Sequence, residues 1–392
     1  MTRFPTSAAL ALALLTRAAP TGAQALPVPV SAESLRANLF IIADDSMGGR
    51  ATSSIGNYKA AEWVAAAFRR DGLEPAGENG TYFQVLPIAF SRRGDAATRY
   101  PVRNVVAVLR GSDPDLNGTY ISLTAHNDHL GTMPYGVDHD SVRAYDRVVR
   151  PMGADSPRRP PTPEEEIRIR AILDSLRAAH PARRDSVFNG ADDDGSGTVL
   201  LVELARILSE GARPRRSILF VSHAAEEIGL RGSEYFTDHP TVPRDSIVAE
   251  LDMDMVGRGG VADLPGGGPG YLELVGTRRL STEFGDIIDS IGHREPVPFR
   301  FNYAYDAPGN PLQFYCRADH YSYARYGIPS ASLSTGEHLD YHQVTDEPQY
   351  IDYHQLARVT ALVRDVALAI ANLDHRPVVD GQRQDPSAPC VQ

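Results

Sequence analysis

Tyr120-Ile121-Ser122-Leu123-Thr124-Ala125-His126-Asn127-Asp128-His129-Leu130-Gly131 decides the fold. A short β-rich run leads straight into imidazole and carboxylate side chains, so a strand delivers them at its C-terminal end. Open α/β sheets place their sites at that end. The pattern recurs along the chain: His223-Ala224-Ala225-Glu226-Glu227 follows a strand over 217–222, and Asp252-Met253-Asp254-Met255-Val256-Gly257 closes one over 247–253. Tyr341-His342, ahead of Asp346, comes after a strand near 330–333, and Gly190-Ala191-Asp192-Asp193-Asp194-Gly195-Ser196-Gly197 opens a helix.

Helical periodicity fills the intervals. Ala61, Val64, Ala65 and Phe68 recur at i, i+3, i+4 and i+7 ahead of Gly72, and Leu201, Leu204, Ala205 and Leu208 repeat the pattern. Further segments read as strands over 104–109 and 271–275, a helix over 282–291, and a closing helix through Leu356, Val359, Val363, Val366, Ile370 and Leu373. Strands alternating with helices predict the α/β class. The stretch 132–188, rich in Pro and Arg, reads as an insertion with one helical piece over 163–179, too short and too charged for a core of its own. Its Arg143, Arg147, Arg150, Arg158 and Arg159 read as a solvated charged loop, with a substrate carboxylate as the alternative partner. Residues 377–392 read as a C-terminal tail.

The bulk properties bound the function. The 392 residues are 42% apolar, and acidic residues outnumber basic ones 50 to 39, for a net charge of −11. That surface does not attract nucleic acid or anionic lipid. Arg3, the apolar stretch from Ala8 to Leu15 and Ala23-Gln24-Ala25 fit a signal peptide over residues 1–25, which predicts a secreted or periplasmic protein. No other segment has the apolar length of a membrane span. Cys316 and Cys390 can form at most one bridge, and the plain expectation is one buried thiol and one tail thiol.

Histidine and carboxylate without thiol suit zinc, and two ions sharing a carboxylate need two or three further ligands each. Competing motifs fail. Counting a calcium loop around Gly195 puts Gly190 and Leu201 at positions that need carboxylates, and Leu339 stands where a zincin helix between His338 and His342 needs Glu.

In order, AHNDHLG, GADDDGSG, AAEEIGLRGSEYF, DMVGR, ADHYSYARYGIP and YHQVTDEP resemble the secreted bacterial di-zinc aminopeptidases, whose wider family includes glutamate carboxypeptidase, glutaminyl cyclase and the transferrin-receptor ectodomain. Met47-Gly48-Gly49-Arg50 through Gly77 resembles the start of their catalytic domain. The resemblance implies one zinc-peptidase domain over 26–376, a three-layer α/β/α sandwich on a mixed, mostly parallel sheet. It implies two zinc ions, one held by His126 and Asp254, the other by Glu227 and His342, with Asp193 bridging and Glu226 as general base. Asp128 then orients His126, and Tyr341 either helps hold the oxyanion or simply packs. Asp252, two residues from Asp254 on the same strand, competes with it for the ligand position. The implied activity is an exported exopeptidase, an aminopeptidase acting on peptides or small proteins. The alternatives are a carboxypeptidase, a cyclase of the glutaminyl type, and a binding ectodomain without catalysis.

Overall fold

The computed structural model describes residues 28–88, 100–264 and 266–392, so the signal-peptide reading of residues 1–25 lies outside the described part. Eleven strands are present among the described residues: β1 (Glu74–Pro75), β2 (Phe83–Val85), β3 (Arg103–Leu109), β4 (Tyr120–His126), β5 (Gly131–Asp138), β6 (Arg184–Phe188), β7 (Ser217–His223), β8 (Ile247–Met253), β9 (Tyr271–Val275), β10 (Arg300–Asn302) and β11 (Ser330–Ser334). The helices are α1 (Ala32–Ile42), α2 (Ile55–Arg70), α3 (His139–Val149), α4 (Pro163–Ala179), α5 (Gly197–Glu210), α6 (Arg231–Asp238), α7 (Thr282–Arg294), α8 (His320–Ala324) and α9 (Tyr353–Ala371).

Nine strands form one mixed sheet in the order β1-β3-β7-β4-β8-β11-β9-β10, with β2 also on β3. The central run β7-β4-β8-β11 is parallel, and antiparallel β3 and β9 flank it. Helices cover both faces, and the side-chain alternation of the strands accounts for it. On β3, Val105, Ala107 and Leu109 enter the larger core, packed with residues of α1, α2, α5, α7 and α9. Val106 and Val108 turn to the other face and meet Phe236 of α6 and Tyr323 of α8. The sheet is therefore covered on both sides, which is why its central strands are buried along their length. No described helix is long and apolar enough to cross a membrane.

Three sequence expectations need correction. The 132–188 insertion holds more than one helix: β5 and β6 pair as an antiparallel ribbon, and α3 lies beside α4. Helix α3 escaped notice because most of its buried positions are polar: His139, Asp140, Arg143 and Asp146, beside Ala144 and Val149. Nor are the insertion's arginines all solvated. Arg143 and Arg150 are buried, Arg143 stacking over the Tyr350 ring at 3.4 Å and facing Asp340 at 3.3 Å. Lastly, Cys316 and Cys390 are not free thiols but form a disulfide, with Cα atoms 5.7 Å apart. The stretch 377–392 carries no helix or strand, yet it is tied down along its length. The Val378 N–H donates to Glu283, the Gly381 N–H to the Leu280 carbonyl and the Gln392 side chain to the Tyr305 carbonyl.

Candidate metal centre

In parallel register, His126 of β4 lies opposite His223 of β7, and Thr124 opposite Asp252 of β8. The loops leaving these strands therefore converge. Two groups of donors result, each with ligand atoms within 4.8 Å of one another: His126, Asp193 and Asp254, and His129, Asp193, Glu227 and His342. Asp193 belongs to both. Its Oδ1 lies 3.2 Å from His126 Nε2, and its Oδ2 lies 2.9 Å from His342 Nε2. Asp254 Oδ1 stands 3.7 Å from His126 Nε2, and Glu227 Oε2 stands 3.2 Å from His342 Nε2. Glu226 closes the set, with its carboxylate 3.9 Å from His126.

Asp252 and Asp254 occupy different positions. Asp252 is buried beneath the site, where it and Glu250 accept from the Thr124 hydroxyl, and Asp254 reaches the donor group. Tyr341 stacks on His342 with ring centroids 4.0 Å apart, and its hydroxyl accepts from Arg317. Asp128 holds more than one partner. Its backbone carbonyl lies 3.2 Å from His126 Nδ1 and its carboxylate 3.8 Å away, while that carboxylate accepts from the Glu226 N–H and the Thr52 hydroxyl.

The framework behind these donors is built from residues to which the sequence reading gave no role. Arg50 is fully buried and donates to four backbone carbonyls, those of Ile42, Asn127, Asn189 and Gly190. It thus clamps the loop carrying His126 to the loop carrying Asp193. Asp346 accepts the N–H groups of Asp192 and Asp193, and Asp194 accepts those of His126, Gly197 and Met255. Asp192 accepts from the Gly257 N–H and faces His338 Nε2 at 3.1 Å. The Asp193-Asp194 peptide is cis. Gly190 is required: its φ is +54°, and a Cβ there would lie 2.2 Å from the Asp193 carbonyl oxygen and 2.5 Å from the His129 ring. Ala225, Met255 and His342 also adopt positive φ, beside or within the donor set, where strained backbone aims side chains.

His129 is the site residue the sequence reading passed over. Its Nδ1 lies 2.6 Å from Glu227 Oε1, and its Nε2 has no partner among the described residues. Its place one helical turn after His126, in the same loop, was the available signal.

The centre calls for a cation. Burial works against a charged His342, but Asp193 and Glu227 outweigh it and hold the ring at about 10. Burial likewise opposes the charged form of His126, which Asp128, Asp193 and Asp254 nonetheless hold well above the ordinary value. Buried carboxylates of this density, with imidazole and no thiol, are the donor chemistry of zinc. The residues fit the metal.

Comparison with known proteins agrees. Over 244 residues the chain is 28% identical to a probable zinc metalloprotease of Leptosphaeria maculans, covering 60% of this chain and 43% of that protein. It is 30% identical over 152 residues to a probable leucine aminopeptidase 2 of Aspergillus oryzae, covering 38% of this chain and 28% of that one. The chain thus spans less than half the length of these curated relatives. Among solved structures, a zinc aminopeptidase from Bacillus subtilis matches with TM-score 0.57 at 13% identity, over 90% of this chain and 98% of that one. A glutaminyl cyclase from Porphyromonas gingivalis matches with TM-score 0.57 at 20% identity, over 86% and 97%. These likenesses establish the α/β fold. The sequence pattern of peptidase family M28 runs over residues 104–367, across every donor from His126 to His342, and the chain belongs to that family.

Proposed function

We propose that the protein is an exported, zinc-dependent aminopeptidase that releases N-terminal residues from peptides or small proteins. The observation that carries this reading is the pair of donor groups sharing Asp193. In this reading His126 and Asp254 would hold one zinc and Glu227 and His342 the other, with Asp193 serving both. Bound zinc ions acidify water and polarise a scissile carbonyl. Glu226 takes the proton of the attacking water on its carboxylate and passes it to the leaving amine. Burial pushes the Glu226 carboxyl up, which suits a group that must hold that proton between the two transfers. Asp128 fixes Glu226 through its backbone N–H and fixes His126 through the ring Nδ1, the arrangement that metal-bound imidazole needs. Tyr341 lines the same cleft, and in this reading its hydroxyl donates to the developing oxyanion. The disulfide supports export, since such bonds persist in oxidising compartments.

The test is hydrolysis of free-amine and N-acetylated amino-acid p-nitroanilides by the purified chain, before and after chelation and zinc repletion, beside Glu226→Gln. The expected result is turnover of free-amine substrates only, abolished by chelation and restored by zinc. Glu226→Gln is expected to lose about 10²–10⁴-fold in kcat while keeping its metal. Cleavage of acetylated substrates alone would replace the reading with another exopeptidase direction. Cyclisation of N-terminal glutamine by a one-zinc protein would replace it with the cyclase.

A further inference from the structure

The cleft at the metal centre extends past the donors. Met255, Val275, Phe314 and Ala318 give it an apolar wall, and two carboxyl groups that belong to neither donor group, Glu273 and Glu337, also line it. Glu337 is a buried acid on the wall of this cleft. Its side chain is only 3% exposed, neither of its oxygens accepts a hydrogen bond from a donor among the described residues, and its nearest partner is another carboxyl group, Asp155, with which it shares a proton.

The neighbouring groups do not neutralise it. Arg317 is the closest cation, with Nη1 3.7 Å from Glu337, beyond hydrogen-bond reach. That guanidinium is already engaged: Nη1 donates to Asp155 at 2.7 Å and Nη2 to the Tyr341 hydroxyl at 3.2 Å. Glu273 accepts a single hydrogen bond of 2.5 Å from the Tyr271 hydroxyl. Burial, with Asp155 beside it, pushes the Glu337 carboxyl up to about 9, and burial pushes Glu273 up to about 7. Buried polar groups are almost always satisfied by protein, water or ligand, so a buried carboxyl group opening into a cleft beside a reaction centre points to what the cleft receives. An aliphatic side chain would add no polar partner to either carboxyl group. An acidic one would bring its charge beside Asp155, which already matches Arg317.

Building on the aminopeptidase reading, we propose that this cleft selects a cationic N-terminal residue, lysine or arginine. The methylenes of the side chain lie along Met255, Val275 and Phe314, and its charged head meets Glu337 and Glu273. An amphipathic side chain with a long apolar stem and a terminal charge matches a pocket with an apolar wall and carboxyl groups. Selectivity follows because a substrate without the charge adds no partner to these buried groups.

The experiment measures kcat/KM for Lys-, Arg-, Leu- and Glu-p-nitroanilides with the zinc-loaded chain and with Glu337→Gln. Lys and Arg substrates are expected to exceed Leu by at least about 10-fold, which is the scale of one charge-assisted hydrogen bond. In Glu337→Gln the Lys-to-Leu ratio should fall by roughly 10- to 100-fold, mostly through KM. Equal losses on Lys and Leu would mean a merely structural Glu337 and overturn the proposal. So would a preference for Leu or Glu in the unaltered protein. Should Glu337→Gln fold poorly, inhibition of Leu-p-nitroanilide hydrolysis by lysinamide and by leucinamide decides with the unaltered protein: lysinamide must be the stronger. Vigorous turnover of Leu with weak inhibition by lysinamide overturns the pocket alone. Silence on every free-amine substrate overturns the aminopeptidase reading and the pocket with it.

Discussion

At the scale of the residue, the centre depends on side chains that hold other side chains. His129 illustrates this: its Nδ1 lies 2.6 Å from Glu227, so the ring N–H donates to a carboxylate that has its own task. Groups of this kind hold ligands in one orientation, and their loss typically costs 10- to 100-fold in metal affinity. His129→Gln is therefore expected to weaken zinc binding by about that factor, measured by competition with a chromogenic chelator, while the fold stays intact by circular dichroism. Unchanged affinity would mean that Glu227 is held well enough by the rest of the loop. The motif AHNDHLG displayed His129, but nothing in spacing alone distinguishes an imidazole that meets a metal from one that braces a carboxylate. Likewise the run Asp192-Asp193-Asp194 showed three equivalent acids. Their different tasks come from the N–H groups of Gly257, Met255 and His126, which are remote in sequence.

At the scale of the element, the strands that carry the site were legible and the pieces that frame it were not. Strands β8 and β9 coincide with the sequence reading because both faces of the sheet are covered, so apolar residues dominate them despite Glu250, Asp252 and Glu273. Helix α3 buries charge rather than oil, α6 has only eight residues, and β5 contains both Gly and Pro, so each lacks the periodic pattern that marks an element. The irregular strap over 377–392 is another such piece. Its Cys390 bonds to Cys316, next to Arg317 on the cleft wall, across a separation of 74 residues. Closing a loop of that length removes enough chain entropy to stabilise the fold by roughly 4 kcal/mol. Cys390→Ser should lower stability on that scale in urea titrations, and a reducing agent should do the same to the unaltered protein. If stability is insensitive to both, the hydrogen bonds along the strap suffice to hold it.

At the scale of the whole molecule, an acidic chain with a net charge of −11 concentrates carboxyl groups at one end of its sheet. Most of them answer to a partner, whether a backbone N–H, an imidazole or a guanidinium. Glu337 meets another carboxyl group, Asp155, instead of a donor, and the consequence belongs to the solution around the protein as much as to the pocket. With its carboxyl near 9, raised by burial and by Asp155 and Glu273 against the opposing pull of Arg317, it carries a proton at pH 7. A cation seated beside it favours the ionised form, so the arriving ligand must expel that proton into the buffer. In calorimetry, lysinamide binding should then give a heat that varies with the ionisation enthalpy of the buffer, more steeply in the unaltered protein than in Glu337→Gln. The sign of the pH effect follows: between pH 7 and 9 less work is needed to remove the proton, and the Glu337-dependent part of the affinity tightens as pH rises. Heats that are the same in phosphate and Tris for both proteins would mean that no proton leaves. Substrate recognition by this chain is thus expected to be an exchange of one cation for another, with the hydrogen ion as the one displaced.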